Sequence, residues 1–249
     1  MLAKGRLDHV LVARGFFPTR SRARDAISRR TVWVDHVLVA KAGQNVAYDA
    51  VISVADPAQN YVSRAALKLL AALEAFPVNV VGRCALDIGA STGGFTQVLL
   101  EYGAKRVLAL DVGHGQLSPL LRQNPAICLL EGVNARNLTV AHLEGWPVEL
   151  IVSDVSFISL TKALPPALAL AQMGAQAILL VKPQFEVGRA GLGKGGLLKD
   201  PTEGVRVARR MFAWLNAEPH WRAKGLLPSP ILGGDGNKEY LLFGEKYLD

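Results

Sequence analysis

The sequence predicts an α/β chain: a Rossmann-like, doubly wound, seven-stranded sheet preceded by a small α+β domain. Three observations predict it. From Cys84 onward, short apolar runs alternate with amphipathic segments of helical period, the pattern of strands and crossover helices. One of these runs, Leu86-Asp87-Ile88, enters a glycine-rich turn, Gly89-Ala90-Ser91-Thr92-Gly93-Gly94-Phe95-Thr96, that opens a helix. The first fifty or so residues read differently, as two basic helices followed by short hairpin strands.

Taken in order, Leu7, Val10 and Leu11 recur at helical spacing before Gly15. Pro18-Thr19 interrupts, and Thr19 or Ser21 can cap a second helix carrying Arg22, Arg24, Ala26 and Ile27. Thr31-Val32-Trp33-Val34 and Val37-Leu38-Val39 flank Asp35-His36 as a hairpin, with a third run at Val51-Ile52-Ser53-Val54. So small a core is marginal alone. Residues 57–63, beginning at Pro57, read as a linker between a small domain, 1–56, and a large one, 64–249. A helix from Arg64 to Glu74, capped by Ser63, ends before Pro77. Strands are expected at 84–88, 106–110, 127–131, 148–153, 177–182, 222–227 and 239–244. Helices are expected at 94–102, 116–122, 159–173 and 202–216.

Composition excludes several classes. Cys84 and Cys128 lie in apolar runs and read as small buried hydrophobes, not a disulfide framework. The five histidines are scattered, so no metal is expected. Lys4, Arg6 and Asp8 break any secretory pattern at the amino terminus. The charge-free stretch from Ala163 to Val181 is long enough for a bilayer, but Pro165-Pro166, Gln172, Gly174 and Gln176 divide it into helix, turn and strand. A cytoplasmic monomer is expected. The net charge is +7, and Lys4, Arg6, Arg14, Arg20, Arg22, Arg24, Arg29 and Arg30 face only Asp8 and Asp25 in the first segment. That surplus is either a solvated face or a footprint for phosphates.

The turn after Leu86-Asp87-Ile88 lies at a sheet's carboxyl edge, where nucleotide-type cofactors bind. The strand Arg106–Leu110 then ends on Asp111, whose carboxylate can accept from both hydroxyls of a ribose. The dinucleotide register is absent, because the spacing is Asp87-x-Gly89-x-x-x-Gly93-Gly94. Asp87 would repel a pyrophosphate and suits a cation, such as the amino group and sulfonium of S-adenosylmethionine. An S-adenosylmethionine site is favoured over a dinucleotide site or a plain structural turn.

Two further strands deliver Ser153-Asp154-Val155-Ser156-Phe157 and Lys182-Pro183-Gln184-Phe185-Glu186 to the same edge. Asp154 and Lys182 form either a structural ion pair or a reactive one. In methyl transfer to a hydroxyl, an amine near the acceptor can take its proton or steer its lone pair. Amine acceptors go with a proline-rich turn after the fourth strand, absent here. Neither cysteine is placed for attack on a base ring. An oxygen acceptor fits best.

Lys68, Asp154, Lys182 and Glu239 follow the lysine–aspartate–lysine–glutamate order of the FtsJ-like ribose 2′-O-methyltransferases. The chain resembles the haemolysin-A-like branch of that family through Tyr61–Leu69, Gly89–Thr96, Ser153–Phe157, Lys182–Glu186 and Gly236–Tyr240. These blocks span both domains in order. One departure is Ala65-Ala66, where a glycine is frequent in the family. The resemblance implies methylation of cytidine ribose in ribosomal RNA or ribosomal subunits, with S-adenosylmethionine and an amino-terminal domain like that of the ribosomal protein called S-four. It implies that Lys68, Asp154, Lys182 and Glu239 are catalytic. It also implies that Asp87, Gly89, Ala90, Ser91, Thr92, Gly93, Gly94, Phe95, Asp111 and Asp154 line the cofactor, with Asn134 facing adenine or capping a helix. The eight basic residues of the first segment and Arg64 would contact RNA. A silent RNA-binding protein and a cytolysin are the rivals. The second needs a secretion signal or an exposed lytic segment, and neither is visible.

Overall fold

In the computed structural model, which describes residues 3–247, the chain divides into two compact units, Met1–Tyr61 and Val62–Asp249. The first holds β1 (Lys4–Arg6), α1 (Leu7–Ala13), α2 (Arg20–Ser28), β2 (Val32–Val34), β3 (Val37–Leu38), β4 (Asn45–Ala47) and β5 (Ile52–Val54). Leu7, Val10 and Leu11 on α1 meet Ala23 and Ile27 on α2 over Val32, all of them buried. The Thr19 hydroxyl accepts from the Arg22 amide at 3.3 Å and so caps α2. Asp35 and His36, at φ 48° and 65°, make the left-handed two-residue turn that joins β2 to β3. β1 pairs antiparallel with β4, a pairing without a sequence signal because three-residue strands are too short to show an alternation.

The expected linker 57–63 divides between the units. Ala58 is buried in the first, and the Arg22 guanidinium donates to the Ala58 and Tyr61 carbonyls at 2.7 and 2.5 Å. The Val62 amide instead donates to the Gln97 side chain of the second unit at 2.8 Å.

The second unit contains α3 (Ala66–Ala75), β6 (Cys84–Ile88), α4 (Gly94–Glu101), β7 (Arg106–Asp111), α5 (Pro119–Arg122), β8 (Ile127–Glu131) and β9 (Leu150–Ser153). It continues with α6 (Leu160–Ala163), α7 (Pro165–Leu170), β10 (Gln176–Val181), α8 (Glu203–Ala217), β11 (Trp221–Pro228) and β12 (Tyr240–Lys246). The sheet order is β11-β12-β10-β9-β6-β7-β8, with β6 to β10 parallel. Strands β9 and β10 are buried throughout, as expected where helices cover both faces. β12 runs antiparallel between β10 and β11. No helix separates β11 from β12, so the chain returns as a hairpin and not as a crossover.

Two expected helices are shorter. The 116–122 segment is helical only from Pro119, and the 159–173 segment breaks into α6 and α7 where Pro165-Pro166 restarts the helix. The end of α7 has an unusual cap. Lys246, buried on β12, donates to the carbonyls of Leu168, Ala169 and Ala171 at 2.8, 3.0 and 2.8 Å, and burial pushes its pKa down. Lys246→Met should take this donor from the Ala169 and Ala171 carbonyls, while the Leu168 carbonyl keeps the Trp221 indole N–H at 3.2 Å, and cost about 2–4 kcal/mol. Urea unfolding would register this as a lower midpoint at unchanged slope. No helix among the described residues is long and apolar enough to cross a membrane.

Candidate active site

β6 sits between β7 and β9, where the strand order reverses, and the crevice at the strands' carboxyl ends is the ligand position of such sheets. Asp87, the penultimate residue of β6, is wholly buried. Burial pushes its carboxyl up to about 7, with the Asp154 and Asp111 charges adding and the Thr96 hydrogen bond opposing. Thr96 Oγ1 donates to Asp87 Oδ2 at 2.6 Å, and Oδ1 has no protein partner. Gly89 follows at φ 84°, and a Cβ there would lie 3.1 Å from the Asp154 and Val155 backbone. Glycine thus lets the loop after β9 pass directly over the turn. At Gly94 a Cβ would lie 2.9 Å from Ser63, so the start of α3 packs on the start of α4 and carries Lys68 to this edge.

Asp111 ties the turn to the loop after β7. Its Oδ2 accepts from the Ser91 amide and its Oδ1 from the Gly113 amide, both at 2.8 Å. Ser91 and Thr92 form the exposed mouth of the turn, while Ala90, Gly93, Gly94 and Phe95 are buried behind it. Asn134 caps a short helical turn, accepting from the Arg136 amide at 3.1 Å, which is the plainer of the two readings of that residue.

Lys68, Asp154, Lys182 and Glu239, distant in sequence, come together. Lys182 Nζ lies 2.6 Å from Asp154 Oδ1, Lys68 Nζ 3.8 Å from Asp154 Oδ2, and Lys68 Nζ 2.7 Å from Glu239 Oε2. The result is an alternating row, Lys182–Asp154–Lys68–Glu239, with two charges of each sign. Lys68, Lys182 and Glu239 are buried, and each buried charge has an opposite neighbour, without which burial would be prohibitive.

Two residues next to this row carry no sequence signal of their role. Ser156 Oγ accepts from Lys182 Nζ at 2.7 Å. Phe157 is 92 % exposed and left-handed at φ 64°, an uncommon strain for a bulky residue, and its ring lies 5.2 Å from that of Phe185. The hydrogen bond to Lys182 reveals the first and the backbone conformation the second. Glu186, from the same block as Lys182, has a structural job: it accepts from the Ser159 hydroxyl and the Leu160 amide at 2.5 and 2.8 Å, capping α6. A cavity of 770 Å³ beyond it, among Val187, Met211 and Trp214, is lined by none of the row's four residues.

Among the described residues, six buried side-chain polar atoms make no hydrogen bond, and five of them belong to Asp87, Ser153, Asp154, Gln184 and Glu239 at this one edge. Two of the five, on Asp154 and Glu239, face lysines as ion pairs. The other three, on Asp87, Ser153 and Gln184, are free to bond a ligand or water at this edge. The donor set suits a cationic group beside Asp87 and a diol beside Asp111. No group of three His, Cys, Asp or Glu among the described residues is placed to hold a metal.

The first segment's basic residues divide. Arg29 pairs with Asp56 at 2.7 Å and Arg22 binds the carbonyls given above, so both work inside the unit. Arg6 and Arg20 reach the buried Asp8 at 3.1 and 3.0 Å with half of each side chain exposed, and Arg14 donates to the Ala50 carbonyl at 2.6 Å. Lys4, Arg24 and Arg30 are exposed, and Arg64 of the second unit is half-buried.

This crevice, switch point and buried charge row define a methyltransferase. Residues 61–246 match the FtsJ-like methyltransferase model, and residues 5–52 match the S4 domain. The chain belongs to the FtsJ-like methyltransferase family. It is 43 % identical over 248 residues to the 16S/23S rRNA (cytidine-2'-O)-methyltransferase TlyA of Mycobacterium tuberculosis, covering 98 % of this chain and 90 % of that one. It is 37 % identical to Hemolysin A of Brachyspira hyodysenteriae, covering 95 % and 98 % of the two chains. A solved Streptococcus thermophilus structure that bears the hemolysin name superposes with a TM-score of 0.75 at 35 % identity, covering 99 % of this chain and 90 % of that one.

Proposed function

We propose that this chain transfers a methyl group from S-adenosylmethionine to the 2′-hydroxyl of a cytidine ribose in ribosomal RNA. The buried row Lys182–Asp154–Lys68–Glu239 carries the reading, because it sets an amine held by a carboxylate beside the crevice. In this reading Asp87 faces the cofactor's cationic end, Asp111 its ribose, and the turn from Gly89 to Phe95 cradles it. When bound, S-adenosylmethionine supplies an electrophilic methyl. The chain's task is to hold the acceptor oxygen in line and manage its proton. Lys182 does the latter, Asp154 orients it, and Lys68 with Glu239 fixes Asp154. The protein acts in the cytoplasm as a monomer without metal.

The unit before Val62 grips RNA phosphates, and the large unit carries the reaction. Lys4, Arg24 and Arg30, with the outer faces of Arg6, Arg14 and Arg20, form the footprint, and Arg22 and Arg29 hold its scaffold. RNA affinity should fall with salt by a logarithmic slope of about −0.7 per phosphate contact. Arg24→Ala and Arg30→Ala should each flatten that slope without changing affinity for S-adenosylmethionine. Filter binding across a salt series checks this, and a slope that neither substitution moves would remove both residues from the interface. The name borne by the Brachyspira relative offers a rival, lysis, which a red-cell lysis assay with purified protein decides.

A further inference from the structure

We infer that the Ser156 hydroxyl is the proton exit of Lys182, passing to solvent the proton that the amine receives from the acceptor hydroxyl. The inference rests on the proposed ribose methylation and goes beyond the four charged residues that reading uses.

Lys182 is 8 % exposed, so a proton on its amine needs a route to water. Three protein oxygens face Nζ: Asp154 Oδ1 at 2.6 Å, Ser156 Oγ at 2.7 Å and the Asp154 carbonyl at 3.4 Å. On another side lies the Phe185 ring, its centroid 6.0 Å away. The carbonyl cannot pass a proton on, and the ring cannot accept one. Asp154 is shared with Lys68, and protonating it would remove the negative charge that both lysines face. Ser156 alone of these groups is exposed and amphoteric, able to accept from the amine while donating its own proton outward. The left-handed Phe157 bends the chain directly after it.

The step balances. Lys182, resting as an ammonium beside Asp154, first passes one proton through Ser156 to water; the acceptor O–H bond then breaks and its proton joins the freed nitrogen lone pair. The oxygen's electron pair forms the new O–C bond as the donor's S–C bond breaks and its pair stays on sulfur. The ammonium then gives one proton to Ser156 Oγ while the serine proton leaves to water, restoring the amine.

The test uses the full chain with ζ-15N-lysine, in wild type, Ser156→Ala and Ser156→Thr. NMR of the cofactor-free protein reads the rate at which the Lys182 amine exchanges hydrogen with water. Kinetics on unmethylated ribosomal subunits then read kcat, KM and the pH profile. Ser156→Ala should slow exchange and kcat each by about tenfold or more. KM should stay unchanged, and Ser156→Thr should restore both rates. Wild-type exchange and kcat in Ser156→Ala, or a loss confined to KM, overturns the inference while ribose methylation by the wild type stands. A wild-type chain that methylates no ribose overturns the parent reading, and this inference with it.

Discussion

Lys182→Ala is expected to slow methyl transfer by about a thousandfold or more while RNA and cofactor affinities change little. General acid–base catalysis is worth about two to four orders of magnitude, and alanine also removes the group that steers the acceptor oxygen. Lys182→Arg should be nearly as slow although it keeps the positive charge, because a guanidinium does not give up its proton. An ion pair serving only stability predicts the reverse: arginine tolerated, and alanine lowering the melting temperature by leaving Asp154 with Lys68 alone at 3.8 Å. Single-turnover rates and melting curves on both variants separate the two. Most of the activity surviving in Lys182→Arg would reduce the residue to a structural partner.

Asp87→Asn is expected to raise the stability of the ligand-free protein and weaken cofactor binding together. The Asp87 carboxyl is pushed up to about 7, mainly by burial, against an unfolded value near 3.9. The folded chain therefore holds a proton that the unfolded chain releases between about pH 4 and 7, so this group's contribution to stability falls as pH rises through that window. Above it, the shift corresponds to a penalty of at most about 4 kcal/mol, which asparagine avoids. The same substitution removes the carboxylate proposed to face the cofactor's cationic end, a charge-assisted contact worth about 1.5–3 kcal/mol, or a tenfold or greater loss of affinity. Wild-type binding should also strengthen from pH 6 to 8 and release a proton at pH 6, measurable by calorimetry in two buffers. An Asp87→Asn variant no more stable at pH 8 and no weaker in binding would sever Asp87 from the site.

Most of the sheet is readable from the residues, because β6, β9 and β10 are buried throughout, β7 is buried between its ends, and the half-buried β8 is apolar along most of its length. The direction of β12 is not, since a hairpin and a crossover differ in what lies between strands and not in the strands themselves. The four charged residues are legible as a set only through their order along the chain. Nothing local distinguishes Lys68 from a solvated lysine or Glu239 from an edge charge, yet both are buried and 2.7 Å apart. Ser156 and Phe157 lie in a block legible in the sequence, but what sets them apart is spatial: a hydrogen bond from Lys182 for the first and a left-handed backbone angle for the second. Arg22 and Arg29 look like phosphate ligands in the sequence. Their engagement with Ala58, Tyr61 and Asp56 depends on how the segment after β5 folds back, which charge counting does not encode.

Transfer to a ribose hydroxyl is read most directly from the RNA product. Unmethylated ribosomal subunits are incubated with S-adenosylmethionine and either the wild-type chain or Lys182→Ala, and the RNA is digested to nucleosides and examined by mass spectrometry. The wild-type chain should add one methyl to the sugar fragment of cytidine, and Lys182→Ala none. A methyl on a base, or equal sugar methylation by both proteins, would contradict it.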